Sequence, residues 1–244
     1  RLMGHNFTAV NFDAYFTIPD YTTGTKVYTV KPNLYGGDAA KDYTISLSGG
    51  HYGTIAASTG TTNGNAALSI TNADIETLCL GAFSGTTVGD ITLTVKDSKI
   101  GQLIVGAKEG NMKGNIHLTF SDSEVSELSI GAYGKDSVFE GNVRIHAEKT
   151  DVGKFSDAGD GKTDAGTVCF LSNGTEPGVD EKAHYDAILY LSEGTGEPAY
   201  DENGKLTGVT CYDRYGCEAA ALLLSDGTVL KPENGVFRLE KGLY

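Results

Sequence analysis

The sequence contains no tryptophan, only five prolines, two methionines and four cysteines, and no long apolar run. Each scarcity excludes something. Without Trp, any aromatic platform must be built from the 13 Tyr and nine Phe. Sparse Pro beside 33 Gly and 39 % apolar residues fits a β-rich globular or solenoid chain and not a disordered one. No apolar stretch reaches membrane-spanning length, so no membrane insertion is expected. Nor does any Lys/Arg cluster offset the net charge of −13, a surface that repels nucleic acid and anionic lipid. The same charge works against an anionic polysaccharide unless calcium bridges the two. Cys79, Cys169, Cys211 and Cys217 have no metal-site spacing and include no Cys-x-x-Cys. Cys211 and Cys217 are spaced to close a short hairpin as a disulfide, while Cys79 and Cys169 look unpaired. Arg1-Leu2-Met3-Gly4-His5 lacks a secretory apolar core and an initiating Met, and reads as the start of a mature product or of a module cut from a larger chain. Gly-x-Ser-x-Gly, HExxH and P-loop motifs are all missing.

What is present is a repeat. Copies begin at Gly64-Asn65, Gly89-Asp90, Gly114-Asn115 and Gly141-Asn142, at spacings of 25, 25 and 27 residues. Three end alike, in Leu80-Gly81-Ala82, Val105-Gly106-Ala107 and Ile130-Gly131-Ala132. Self-similarity at this period marks a solenoid. Each copy opens with strict alternation, as in Ile91, Leu93, Val95 and Ile116, Leu118, Phe120, which is a strand with one buried face. A second apolar run, Ile75, Leu78, Leu80 in the first copy, predicts a turn after Ile75 and a strand resuming at Leu78. An upstream copy places Ile45 and Leu47 with Leu68 and Ile70, and Tyr52, Ile55 and Ala57 with Ile75, Leu78 and Leu80.

A unit this short cannot bury its own apolar face, so the copies must stack, strand on equivalent strand, about 4.8 Å apart. Leucine-rich repeats have a similar period, but the asparagine ladder and helical segment they need are not apparent. The expected fold is all-β: a right-handed parallel β-helix with a β-rich C-terminal cap. Handedness follows from the rule for parallel crossovers. Residues 1–40 supply the N-terminal cap and irregular strands, 41–156 the repeats, and 157–244 irregular coils and the cap. Stacking predicts outward columns: Asp74, Lys99, Glu124 and Asp151; Ser46, Ser69, Thr94, Thr119 and His146; and Cys79, Ile104 and Ser129. The hydroxyl column, with Thr94 and Thr119 at its centre, is either a binding platform or a solvated face rich in Thr for strand propensity.

The phrase Ser48-Gly49-Gly50-His51-Tyr52-Gly53-Thr54-Ile55, the Gly-Asn/Asp openings and the Ile-Gly-Ala endings resemble the repeat units of secreted, cell-surface proteins of Gram-positive anaerobic bacteria. Those proteins form pectin-lyase-like right-handed β-helices and often sit beside glycanase, dockerin or adhesive modules. The resemblance spans about residues 41–155. It implies an extracellular or surface-attached, non-catalytic module of a multimodular chain, and no family active site transfers with it.

Three functions follow as expectations. The first is carbohydrate binding, to a plant-type or host polysaccharide. Tyr133 aligns with Phe83 after the Gly-Ala corner, placing two rings on one edge two coils apart. The second is a spacer or adhesin stalk without a ligand. The third is a polysaccharide lyase or glycoside hydrolase, for which His117 beside Arg144 and His146 is the best available constellation. Polygalacturonase-like aspartate pairs and the pectate-lyase arginine motif are not found, so no catalytic residue is assigned. No cofactor is expected; the acids of the loop Asp157–Asp164 offer oxygen ligands to calcium, but at no recognised spacing.

Overall fold

The computed structural model describes residues 2, 4–12, 14–20, 24–203 and 206–244, with backbone alone for 14–20 and 24–30. The alternating runs are strands whose every second residue is buried: Ala66–Thr71, Ile91–Lys96, Ile116–Ser121 and Val143–Glu148. Each pairs in parallel with its equivalent in the next coil, so Leu68, Leu93, Leu118 and Ile145 stand in one buried row. The upstream copy joins in register, Ile45 on Leu68 and Leu47 on Ile70. The result is a parallel β-solenoid without an α-helix among the described residues.

Its first face runs from Phe7–Phe12 through the strands above to Thr167–Ser172, Ala187–Leu191 and Gly242–Leu243. The second face stacks Leu34–Tyr35, the later part of Tyr43–Ser58, and then Asp74–Thr87, Lys99–Met112, Glu124–Ala132, Asp151–Ser156 and Gly178–Val179. A narrow third face follows Thr62, Thr87, Met112, Phe139 and Thr163. One buried core fills the tube between them. At its N-terminal end the buried hydroxyl of Ser58 meets those of Thr62 and Thr87, each at 2.7 Å, so these polar groups are satisfied inside.

No turn separates Ile75 from Leu78; the strand Asp74–Thr87 runs through, and both side chains are buried three residues apart. The expected bend at Gly-Ala does occur, with Gly81, Gly106 and Gly131 at φ 118, 124 and 146. A further corner, between first and second faces, carries one left-handed residue per coil: Asn11, Gly49, Asn72, Asp97, Asp122, Lys149 and Asn173. Asn, Asp and Gly tolerate this conformation best, which is why a polar residue recurs there. Just past it a ladder of hydroxyls climbs the tube. Ser98 accepts from the Ala73 N–H, Ser123 from Ser98 N–H and Thr150 from Ser123 N–H, at 3.1, 3.1 and 3.3 Å.

An Asx ladder is present after all, although it is not that of a leucine-rich repeat. The side-chain oxygens of Asp42, Asn65, Asp90 and Asn115 accept the N–H of Asn65, Asp90, Asn115 and Asn142, at 2.8, 2.9, 2.7 and 3.1 Å. It explains the Gly-Asn/Asp openings physically: the Asx ties successive coils, and the Gly before it allows their backbones to touch. A Cβ on Gly114 would run into the carbonyl oxygen of Gly89.

The C-terminal segment forms a lobe of antiparallel hairpins, Thr195–Tyr200 with Leu206–Tyr212 and Leu222–Leu223 with Val229–Leu230. Asn203-Gly204 and Asp226-Gly227 are both dipeptides of hairpin turns; Gly204 lies outside the described residues, and Asp226-Gly227 turns the second hairpin, with Gly227 at φ 87. The lobe lies against the flank of the solenoid. Val168, Phe170 and Leu189, which point outward from the last coils of the first face, are buried there with Val209, Cys211 and Phe237. Cys211 therefore belongs to this small core, whereas Cys217 is exposed; both are free thiols, and the disulfide expected between them is not formed.

Candidate functional site

The outward positions of the first face form registered columns. One reads Thr44, Ala67, Thr92, His117, Arg144, Val168. Its neighbour reads Ser46, Ser69, Thr94, Thr119, His146, Phe170. Thr94, Thr119 and His117 are thus brought onto one exposed surface. Both columns change from polar to apolar at the coil where the lobe begins, so the face runs exposed along the tube and stops against a wall.

At the foot of that wall lies a cleft of about 630 Å³, within the range of small-molecule sites. Its floor is Arg144 and Val168, one side is the solenoid corner with Asn142 and Asp186, and the lobe supplies Tyr200, Thr207, Arg238 and Lys241. The Arg144 guanidinium sits 3.5 Å from the centre of the Tyr200 ring, which ties floor to wall. Half-buried cation–π contacts of this kind contribute about 1 kcal/mol. Burial holds the Tyr200 phenol above its ordinary pKa, with Arg144 acting against this, so the group remains a neutral hydroxyl donor near neutral pH. Asp186 accepts the Thr167 N–H at 3.0 Å. Arg238 pairs with Glu233 at 3.0 Å on the exposed side. His117, one coil before Arg144, has its pKa lowered by partial desolvation and then by Arg144, while Asp90 pulls the other way.

Chemically, the cleft presents planar amide, carboxylate and guanidinium groups around an aromatic ring, next to a field of hydroxyls. These groups can donate and accept hydrogen bonds at positions held by the solenoid corner and the lobe. His146 points out beside Phe170, one column over from Arg144. The loop at Asp157 is folded on itself, its carboxylate accepting the Gly159 N–H at 3.0 Å. No cluster of three or more metal-ligating side chains occurs among the described residues.

Phe83 and Tyr133 lie elsewhere, on the second face. They stand two coils apart with Lys108 between them, whose Nζ is 4.6 Å from the Phe83 ring centre. Together with Tyr35 they pack on the outward column Ala56, Cys79, Ile104, which they bury. Tyr133 is hydrogen-bonded to the Ser129 hydroxyl, and burial raises its pKa. Phe83 meets Tyr35 edge-on at 5.9 Å. The charged column of the second face is also in register, and Lys99 pairs with Glu124 at 3.1 Å.

Sequence reasoning placed His117, Thr94 and Thr119 on one surface but missed Tyr200, Asp186, Arg238 and Lys241, which come from segments after the copies, and read Asn142 only as the opening of the last copy. A signal for the wall was available: Val168 and Phe170 are apolar at register positions that are Arg144 and His146 one coil earlier. No protein-family model, no curated protein and no solved structure matches the chain.

Proposed function

We propose that this chain is a non-catalytic carbohydrate-binding module of a secreted or surface-attached bacterial protein, and that a neutral polysaccharide end or branch enters the cleft at Arg144 and Tyr200. The observation that carries this reading is the position of the cleft: it closes a rigid, exposed lane of hydroxyl side chains with an aromatic ring and several fixed hydrogen-bonding groups. Rigid sites lose little entropy on binding, which favours a ligand as weakly anchored as an extended glycan. Extracellular placement is part of the proposal, supported by the resemblance of the repeats.

The test is affinity electrophoresis and calorimetry against neutral glycans, including xylan, mannan and β-glucan. Retardation by at least one of them is expected, with about tenfold weaker binding in Tyr200→Ala and unchanged binding in Tyr133→Ala. Loss in Tyr133→Ala with Tyr200→Ala unaffected would move the site to the second face. Retardation by none would leave the spacer reading.

A further inference from the structure

A second concavity borders the lobe and shares no lining residue with the Arg144 cleft. This groove of about 440 Å³ is lined by Leu189, Leu191, Leu222 and Leu224, with Glu176, Glu193 and Asp213 among its polar lining residues. Beside it the hairpin Leu222–Leu223/Val229–Leu230 turns two large apolar side chains to solvent. Leu223 and Val229 are direct cross-strand partners, 76 % and 54 % exposed. Tyr215, on the adjoining turn, is 76 % exposed. This pair leaves apolar side chains in contact with water beside the groove.

Charge says what covers it. The charged residues that line the groove, Glu176, Glu193 and Asp213, are all acidic. Arg214, next in the chain to the lining residue Asp213, is 3.9 Å from Glu193. A second copy of this chain, itself at −13, is repelled from such a surface, and so is an anionic membrane. We infer that this groove docks a cationic amphipathic segment of another protein, whose leucine-sized side chains enter between Leu191 and Leu222 while flanking Lys or Arg meet Glu176, Glu193 and Asp213. Recognition of this type places apolar anchors in a groove and uses charge to choose the partner. The inference is independent of the carbohydrate reading, since the groove shares no lining residue with the Arg144 cleft.

The experiment uses the whole chain and three labelled synthetic peptides of about 14 residues, the length of a typical groove-binding helix. One alternates Leu and Lys amphipathically, one replaces its Leu by Ser, and one replaces its Lys by Glu. Fluorescence anisotropy is expected to show saturable binding of the Leu–Lys peptide. The Ser–Lys peptide should bind at least about tenfold more weakly and the Leu–Glu peptide not at all. Leu223→Ser and Glu193→Lys should each weaken the Leu–Lys complex about tenfold. Both positions are exposed, so melting should stay unchanged and confirm that the fold is intact. Equal binding of Leu–Lys and Ser–Lys peptides would reduce the effect to general electrostatics and overturn the inference. So would a Leu223→Ser protein that binds as the parent does, or a parent that binds no peptide.

Discussion

Replacing Leu93 by Ala while leaving its neighbour Thr94 intact, and then the reverse, isolates the physical basis of this fold. Leu93 is 1 % exposed and lies in the buried row between Leu68 and Leu118. Thr94, one residue on, points to solvent from the same strand. Truncating a core leucine removes transfer energy and leaves a cavity, together about 3 kcal/mol when neighbours are held rigidly. Here they are held, because the coils above and below are fixed by the Asx ladder and by parallel pairing on both sides. For a chain of this size each kcal/mol lowers the melting temperature by roughly 2–4 °C, so Leu93→Ala should melt about 6–12 °C lower. Thr94→Ala removes an exposed side chain and should stay within about 0.5 kcal/mol of the parent. Urea and thermal denaturation followed by far-UV circular dichroism give both values, and hydrogen exchange should show the Leu93→Ala loss concentrated in the coils that touch it. Similar effects at the two positions would refute the alternation of buried and outward residues from which the whole architecture is derived.

Other outcomes follow from the same structure. Asn115→Ala removes the acceptor for the Asn142 N–H and should destabilise by about 1 kcal/mol, as loss of a helix cap does; urea denaturation checks this. His117 has a depressed folded pKa, so the unfolded chain takes up its proton first and this group's contribution to stability is lost as pH falls below about 6.5. The drop in melting temperature between about pH 7 and pH 5 should therefore be smaller in His117→Gln than in the parent. Of the four thiols, only Cys217 is exposed. Burial pushes Cys79 and Cys211 up to about 11 and Cys169 higher still. A thiol reagent should thus label one cysteine in the native protein and all four in denaturant; labelling of two fewer than four in denaturant would reveal a disulfide between Cys211 and Cys217.

Much of the solenoid was legible because its signals are local and repeated. Alternation at Ile91, Leu93 and Val95 names the buried face, and the equal spacing of the copies names the register that pairs them. Even the upstream copy, without its glycine, was placed correctly at Ile45 and Leu47. The Asx ladder was visible as letters but not as chemistry, since whether Asp90 reaches the Asn115 N–H depends on how the corner turns. The turn expected after Ile75 did not form, because a spacing of three apolar residues is also met by an irregular strand with both neighbours paired. The outward column Cys79, Ile104, Ser129 was read, but not its cover of aromatic rings. The neighbourhood of His117 and Arg144 was read, but the cleft that the lobe forms over Arg144 was not. Tyr200 and Arg144 are 56 positions apart in the chain, and nothing in the lobe's own sequence says which flank of the solenoid it covers.

Registered stacking of equivalent side chains underlies the first face, the lane to the cleft and the corner ladders alike. It can be measured by cysteine cross-linking in a Cys217→Ser background. Thr94 and Thr119 are direct partners in adjacent coils, at a separation of about 4.8 Å that lies within disulfide reach. Thr94→Cys with Thr119→Cys should oxidise readily to an intramolecular disulfide. Thr94→Cys with Ser121→Cys, a diagonal pair about 7 Å or more apart, should not. A cross-link in the diagonal pair and none in the direct one would contradict the register on which every row depends.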